Sequence, residues 1–526
     1  MAGRDEQTSS VVKLTRGFYI LSIQKKVLLN TASQVYMALL SVVTLPFYIS
    51  VMGKPSYGLI AFFLQLQTVI SLLDIGISAT VSRNMTLFKI SKLSRADFLT
   101  SSRSVEFIFY IIGFSILAIG WLMSGWMTFS WLDIEDFNPQ VAHTAVQMII
   151  VVVFFRWLQT FYRAVIFGAE RIEWVSWFNI LFSTIRVAGV IPFLLWIDGT
   201  IVDFFWFQIV LNFIELVILY LMASRLIGYQ RFERFAGVRL TSMIVAIKSA
   251  SIIGLTSLIW AVIAQADKFI ASGVISLTAY AAYSIVITVA SVMVLVSAPL
   301  IYAIGPMMAR LLAQQQTDEA VQLFRNASLF TALLLSASFA VMVVDGSALL
   351  YAWTGDAELT KLASPLLPAY IAGTFFFALN YLSYSICYAL GDFRRRMHYS
   401  IVALVIYAPM LFVACHFFGE YGLVYSWLCL NILFFFFAQP VLYSQLKSGL
   451  FAKSLRSDLI PPFIGCFSVF GSALLFERSE NGPWQVFLWS GVMFGVSMSI
   501  GLSLSRARLF VKPLLMKLLW KSGHDA

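Results

Sequence analysis

Apolar residues fill the chain in long blocks, and polar residues interrupt them at nearly regular intervals. A helix needs about 20 mostly apolar residues to cross the hydrocarbon core of a bilayer. Fourteen stretches meet that length: 27–50, 58–80, 105–130, 143–166, 174–197, 203–224, 243–265, 278–305, 327–350, 364–390, 398–418, 422–445, 460–476 and 485–504. The segments between them are short and leave no room for a soluble domain. The pattern predicts an all-α polytopic membrane protein of about 14 transmembrane helices. Residues 1–24 are polar and the first apolar block is longer than the apolar core of a secretory signal, so it is expected to stay as the first helix.

Composition agrees and removes other classes. Of 526 residues, 60% are hydrophobic and 12% charged, roughly half the charge fraction of about 25% in soluble proteins. A soluble enzyme, a disordered chain and a nucleic-acid binder are thereby excluded. The net charge of +10 has a topological reading. Twenty-eight of the 36 basic residues fall in one set of alternate loops and the two termini. The other set holds four (Lys54, Lys268, Lys361 and Arg478), and four more (Arg156, Arg163, Arg186 and Lys248) fall within or at the ends of predicted spans. Positive charge accumulates on the cytoplasmic side, which predicts both termini in the cytoplasm. Cys387, Cys415, Cys429 and Cys466 sit in apolar runs without metal-like or disulfide-like spacing and read as small core residues. The sequons at Asn84 and Asn326 fall in predicted cytoplasmic loops and read as chance matches.

A shift of 223 residues superposes several punctuation marks: Gly168-Ala-Glu-Arg171 on Gly391-Asp-Phe-Arg394, Gly199 on Gly422, Tyr57 on Tyr280, and Lys25 on Lys248. One gap-free offset over loops and spans points to a duplication. Six helices per unit is even, so the units are parallel, and such an arrangement is expected to enclose a central cavity. The chain then divides into a cytoplasmic N-terminal segment (1–26), a first lobe (27–224), a linker (225–242), a second lobe (243–445), two extra C-terminal helices (460–504) and a cytoplasmic basic tail (505–526). In the last helix Gly491-Val-Met-Phe-Gly495 reads as a close-packing motif.

Polar groups at membrane depth carry the candidate chemistry. Arg156, Gln159, Thr160 and Arg163 occupy one face of the fourth helix, at i, i+3, i+4 and i+7. The fifth repeats the pattern with Ser176, Asn179, Ser183 and Arg186; the sixth has Gln208, Asn212 and Glu215. The second has Gln67, Ser71, Asp74 and Ser78, and the first Asn30 and Gln34. A charge at the bilayer centre costs at least about 2.5–3.5 kcal/mol, so these groups must face something polar. At the 223 offset the five charges become Ser297, Leu379, Ile386, Pro409 and Ala438. Only the first unit is charged there, which leans toward a site rather than a shared structural need. Arg186 and Glu215 lie at similar depth, and a structural ion pair between them stays open. Three arginines against two acids still leave a positive interior, suited to an anionic group because the guanidinium fork donates two hydrogen bonds to phosphate. His143, His398 and His416 form no metal-like cluster, and the chain has no P-loop or catalytic triad. A membrane glycosyltransferase or ligase would need acidic residues in longer loops.

Several stretches resemble the polysaccharide (O-antigen/exopolysaccharide, Wzx-like) flippases of the multidrug/oligosaccharidyl-lipid/polysaccharide exporter superfamily. They are Ser56-Tyr57-Gly58-Leu59, Leu73-Asp74-Ile75-Gly76 followed by Arg83, Phe167-Gly168-Ala169-Glu170-Arg171, Ser183-Thr184-Ile185-Arg186-Val187-Ala188-Gly189, Asp198-Gly199-Thr200-Ile201, Phe204-Phe205-Trp206-Phe207-Gln208, Gln265-Ala266-Asp267-Lys268-Phe269, Ala298-Pro299 and Pro306. The likeness covers about residues 25–445. It implies two six-helix lobes around a central cavity, and a polyprenyl-diphosphate-linked oligosaccharide as cargo, moved across the bacterial inner membrane for surface-polysaccharide synthesis. It places Arg156, Arg163, Arg186 and Arg83 against the diphosphate or acidic sugars. Asn30, Gln34, Gln67, Gln159, Asn179, Gln208 and Asn212 line the cavity, and Asp74 and Glu215 couple transport to H+ or Na+. No cofactor or metal is implied, and a polysaccharide polymerase and other export proteins are possible partners. The extra helix pair resembles the peptidoglycan-precursor flippases, which leaves that cargo open, and a multidrug antiporter of the same superfamily is the further alternative.

Overall fold

The computed structural model describes residues 39–74, 77–89, 93–134, 137–228, 252–473 and 482–505, with the single positions 29, 33, 34, 36, 37 and 91. Every described segment is helical or a short turn, and among the described residues the only β-type pairing is one isolated bridge, Asp133 to Ser276. Nine described helices are long and apolar enough to cross a membrane, ten if one bent pair is counted. Each of the fourteen stretches read from the sequence coincides at least in part with a described helix. Several of the stretches are not single described spans. The first span begins outside the described residues, so only Leu39–Met52 remains. The tenth is broken, Ala357–Ala363 meeting Leu367–Leu390 at 55°. The eleventh and twelfth run together as Arg394–Ser444, 51 residues. A straight helix of that length would span about 76 Å at 1.5 Å per residue, far beyond a bilayer. Gly419, at φ 56° and ψ −134°, breaks it.

Duplication is visible in where helices start. Lys54–Ser71 and Leu277–Ala313 begin 223 residues apart; Arg95–Trp126 and Thr317–Thr354, and likewise Ile172–Ser183 and Arg394–Leu433, begin 222 apart.

Contacts divide the chain into two compact units. The first comprises residues 1–56, 70–130 and 137–251; the second comprises 57–69, 131–136 and 252–526. In the first unit, helix α1 (Pro139–Gly168) packs along helix α2 (Ile201–Ile227) and against Arg95–Trp126. Asn138 caps α1 with its side-chain oxygen on the amides of Gln140 and Val141, and Pro139 stands at the first helical position, where its missing N–H costs nothing. Thr200 and Asp203 cap α2 reciprocally, satisfying amides that the helix itself leaves open. The core between them is aromatic: Phe109, Trp157, Phe161 and Tyr162 are nearly fully buried, and the Trp157 indole donates to the Phe109 carbonyl at 2.9 Å.

In the second unit, Ile460–Ala473 and Pro483–Leu504 pack on each other and on Thr317–Thr354. Two polar links fasten them. Arg325 grips both carboxylate oxygens of Asp458 at 2.8 and 2.9 Å, and Ser490 donates to the buried Asp345 at 2.9 Å. The close-packing glycines are not those the sequence suggested. No described neighbour lies within 4 Å of a Cβ built on Gly491 or Gly495, whereas one on Gly465 would meet the Gly501 Cα at 3.1 Å. Periodicity shows which glycines share a face but not which face has a partner. Cys387, Cys415 and Cys466 are buried as expected, and Cys429 is exposed. Arg103, Arg325 and Arg396, counted as loop residues from sequence, are buried, at 6%, 6% and 3% exposure.

Candidate functional site

The polar stripes of the first unit converge. Helix α1 supplies Arg156, Gln159 and Arg163; α2 supplies Gln208, Asn212 and Glu215. Ile172–Ser183 supplies Asn179, and the π-helical turn Thr184–Ala188 that continues it supplies Arg186. Glu215 sits at the centre. Its side chain is 0% exposed, and its two oxygens accept separately from the guanidiniums of Arg163 and Arg186. Arg163 also donates to the Asn179 side-chain oxygen, and its guanidinium lies 5.8 Å from the centroid of the Phe178 ring.

A chain of amides holds the rest. Arg156 Nε donates to Asn212 Oδ1 at 3.2 Å, and Gln159 donates to the Asn212 carbonyl at 2.9 Å. Asn212 donates to the Gln208 carbonyl at 2.7 Å, and Gln208 to the Arg186 carbonyl at 3.2 Å. Gln159, Gln208 and Asn212 are buried, while the three arginines and Asn179 are half-buried. The side chains of Arg163 and Arg186 keep 28% and 15% of their surface exposed. One carboxylate thus serves two arginines, and among the described residues the cluster holds three guanidiniums, with Arg156, to one carboxylate. Charges in hydrocarbon require polar surroundings, and here the amides supply them and fix guanidinium orientation.

The turn that carries Arg186 explains its placement. Gly189 donates to the Thr184 carbonyl at 2.9 Å, a five-residue closure that leaves the α-helical ladder. Such wide turns recur at functional positions. A Cβ on Gly189 would stand 2.6 Å from the Ile185 carbonyl oxygen, so glycine is what the turn admits. Tyr48 anchors it from Leu39–Met52, donating to the Val187 carbonyl at 2.6 Å, and Tyr36 shares a 2.8 Å bond with the Thr184 hydroxyl. At the 223 offset Arg186 becomes Pro409, inside the long helix of the second unit.

Sequence reasoning left a structural Arg186–Glu215 pair open, and the structure forms it while adding Arg163 to the same carboxylate. The remaining candidates stand as follows. Asp74 Oδ1 accepts from the backbone amide and hydroxyl of Ser78 at 2.9 and 3.0 Å, capping Ile77–Lys89. Arg83 and Gln34 are exposed. Gln67 is half-buried on Lys54–Ser71, within the second unit. Asn30 lies outside the described residues.

Two carboxylates escaped the sequence reading, Glu106, half-buried, and Asp267, buried. Glu106 accepts from Tyr162 at 3.0 Å, and Tyr162 shares a 2.7 Å bond with Tyr110. In the second unit Asp267 accepts from Tyr283 at 2.7 Å and Tyr370 at 3.2 Å. Glu106 stands at the edge of its apolar block and Asp267 beside a lysine, so neither broke a periodic face.

The model of the polysaccharide biosynthesis protein family matches residues 23–312, more than half of the chain, and the MatE family model matches 252–413. No curated protein matches by sequence. Among solved structures, the chain is similar to the lipid II flippase MurJ in its inward closed conformation, with TM-score 0.69 and 11% identity over 93% of this chain and 100% of that one. An inward-facing multidrug-resistance MATE transporter gives TM-score 0.63 at 11% identity, covering 78% and 95% of the two chains. The Vibrio cholerae MATE transporter VcmN gives 0.54 at 16%, covering 82% and 98%. These likenesses establish the fold, and the family match carries the assignment: this chain belongs to the polysaccharide biosynthesis protein family, among the multi-pass membrane transporters of the multidrug/oligosaccharidyl-lipid/polysaccharide exporter superfamily.

Proposed function

We propose that the protein is a flippase that moves a polyprenyl-diphosphate-linked oligosaccharide from the cytoplasmic to the outer leaflet of a bacterial inner membrane by alternating access, with both termini cytoplasmic. The observation that supports this most is the surplus of guanidinium over carboxylate in the cluster of Arg156, Arg163, Arg186 and Glu215. A sugar-diphosphate head cannot enter hydrocarbon, because each unsatisfied polar group costs several kcal/mol. Three arginines held in place by amides and one glutamate offer substitute hydrogen bonds, while a prenyl tail needs only lipid. A cation-exporting antiporter would want the opposite charge at this depth. Asp74 and Glu215 are the carboxylates proposed for H+ or Na+ coupling.

The direct test is genetic. Arg156→Ala and Arg186→Ala should abolish surface polysaccharide while protein levels in the membrane stay normal; export retained in both refutes the reading. A second cargo, the peptidoglycan lipid precursor, is favoured by one observation, the pair Ile460–Ala473 and Pro483–Leu504 appended beyond the duplicated units. Complementation separates the two: a strain lacking its peptidoglycan-precursor flippase survives on this protein only if that cargo is accepted. In the polysaccharide pathway a polymerase and other export proteins would take the product.

A further inference from the structure

The second unit carries a concave apolar feature that the transport reading does not use. Tyr399, Val402, Ala403 and Ile406 on one arm of Arg394–Leu433 face Leu430 and Leu433, and Phe434, Phe437 and Ala438 of the following π-helical turn, around a groove of about 300 Å³. The groove exists because its floor is small: Ala403 and Ala438 are buried at 7% and 1% exposure. Its rim is large and uncovered, with Val402, Ile406, Leu433 and Phe437 at 53%, 48%, 37% and 70% exposure.

Two features decide what fits. The first is length. Tyr399 to Ile406 is seven helical steps, about 10 Å of helix at 1.5 Å per residue, which lies within one leaflet of a hydrocarbon core about 30 Å thick. The second is charge. Counting back from the groove, Tyr399 and Val402 continue on the same helical face to Arg395 and His398, at i−4 from each. Arg394, Arg395 and His398 are all exposed. The neighbouring acid, Asp392, accepts from the Arg394 backbone amide at 3.0 Å. On the other arm, Lys447 is engaged by Asp318 at 2.7 Å. The mouth of the groove thus carries two exposed arginines, Arg394 and Arg395, to the one neighbouring acid Asp392, on the side of the membrane where the basic loops gather.

From the groove, its leaflet-scale length and the arginine–histidine stripe beneath it, we infer that this hairpin binds an anionic phospholipid of the basic-loop leaflet, an acyl chain lying between Ile406 and Phe437 and the phosphate meeting Arg395 and His398. A phosphate at the membrane surface gains from each basic side chain beside it, and an acyl chain gains the apolar contact that a rough helix surface denies it. A polyprenyl chain is several times longer than the groove, which favours the phospholipid. The site is independent of the arginine cluster in the first unit.

The test uses the whole protein in nanodiscs of phosphatidylcholine with increasing phosphatidylglycerol, or with undecaprenyl phosphate, and counts retained lipid by native mass spectrometry. Wild type is expected to retain phosphatidylglycerol over phosphatidylcholine. Arg395→Ala with His398→Ala should weaken that retention at least roughly fivefold, the loss of the arginine charge alone, and Val402→Trp should weaken it by filling the groove. Thermal midpoints in phosphatidylcholine alone should match wild type in both variants, so that unfolding is not mistaken for lost binding. Equal retention of the two phospholipids by wild type, unchanged retention in the charge variants, or a preference for undecaprenyl phosphate would each overturn the inference.

Discussion

Replacing Glu215 with Gln removes the one carboxylate that two guanidiniums share while keeping the shape of the side chain. At ion-pair contact and an effective dielectric of about 20, each pair gains on the order of 4 kcal/mol, offset by several kcal/mol of desolvation for a group as buried as Glu215. Breaking such a buried arrangement by removing one partner costs about 3–5 kcal/mol, because Arg163 and Arg186 are left facing each other with Arg156 close by. Equilibrium unfolding of the purified protein in mixed micelles measures this. Glu215→Gln is expected to lose about 3–5 kcal/mol, and the double variant Arg163→Gln/Glu215→Gln to recover part of it, since the surplus positive charge falls. The single variant should also bind inorganic pyrophosphate more tightly than wild type, as one competing anion has gone. A single variant as stable as wild type, or a double variant that simply adds the two losses, would refute the account of Glu215 as the shared counter-ion.

Gly189→Val should close the wide turn at Arg186, since its Cβ would meet the Ile185 carbonyl oxygen at 2.6 Å; export should fall at least tenfold with protein still in the membrane, and normal export would show the turn to be dispensable. Asp74→Ser keeps a capping oxygen for Ile77–Lys89, whereas Asp74→Ala loses it at about 1 kcal/mol. If Asp74 couples ions, both variants lose transport; if it only caps, Asp74→Ser transports normally. Gly422→Ala places a methyl group 2.0 Å from the Ala414 carbonyl oxygen, and neither backbone can yield, so the yield of folded protein should collapse; wild-type yield would show that the turn after Gly419 relaxes freely.

The fold was largely legible because hydrocarbon imposes one rule, that backbone groups be satisfied inside each segment. The spans, the loops and the 223-residue duplication all follow from where apolar runs stop. Breaks inside a run were less visible. The π-helical turn at Arg186 lies inside one predicted span, and only tertiary contact decides whether a helix widens there, whereas the break at Gly419 falls between two predicted spans. In the candidate site, periodicity placed Arg156, Gln159 and Arg163 on one face of a helix. It could not say that Glu215 would take two arginines, because depth along separate helices does not fix which side chains meet. Asp74 adds a local bond that the apolar run did not announce, accepting from the amide and hydroxyl of Ser78 at the start of Ile77–Lys89. Arg325 and Asp458 lie 133 residues apart, a pairing that no local pattern encodes.

The claim on which the rest depends is that the arginine cluster receives a diphosphate. Titrating purified protein with a polyprenyl-diphosphate oligosaccharide, and comparing wild type with Arg156→Gln, tests it most directly. Arg156 bonds Asn212 and is not one of the two guanidiniums on Glu215, so its loss should leave the Glu215 pairs standing, with the thermal midpoint followed in parallel. A hydrogen bond to a charged group is worth about 1.5–3 kcal/mol, so affinity should fall roughly tenfold or more. Equal affinity in the two proteins, with both folded, would contradict it.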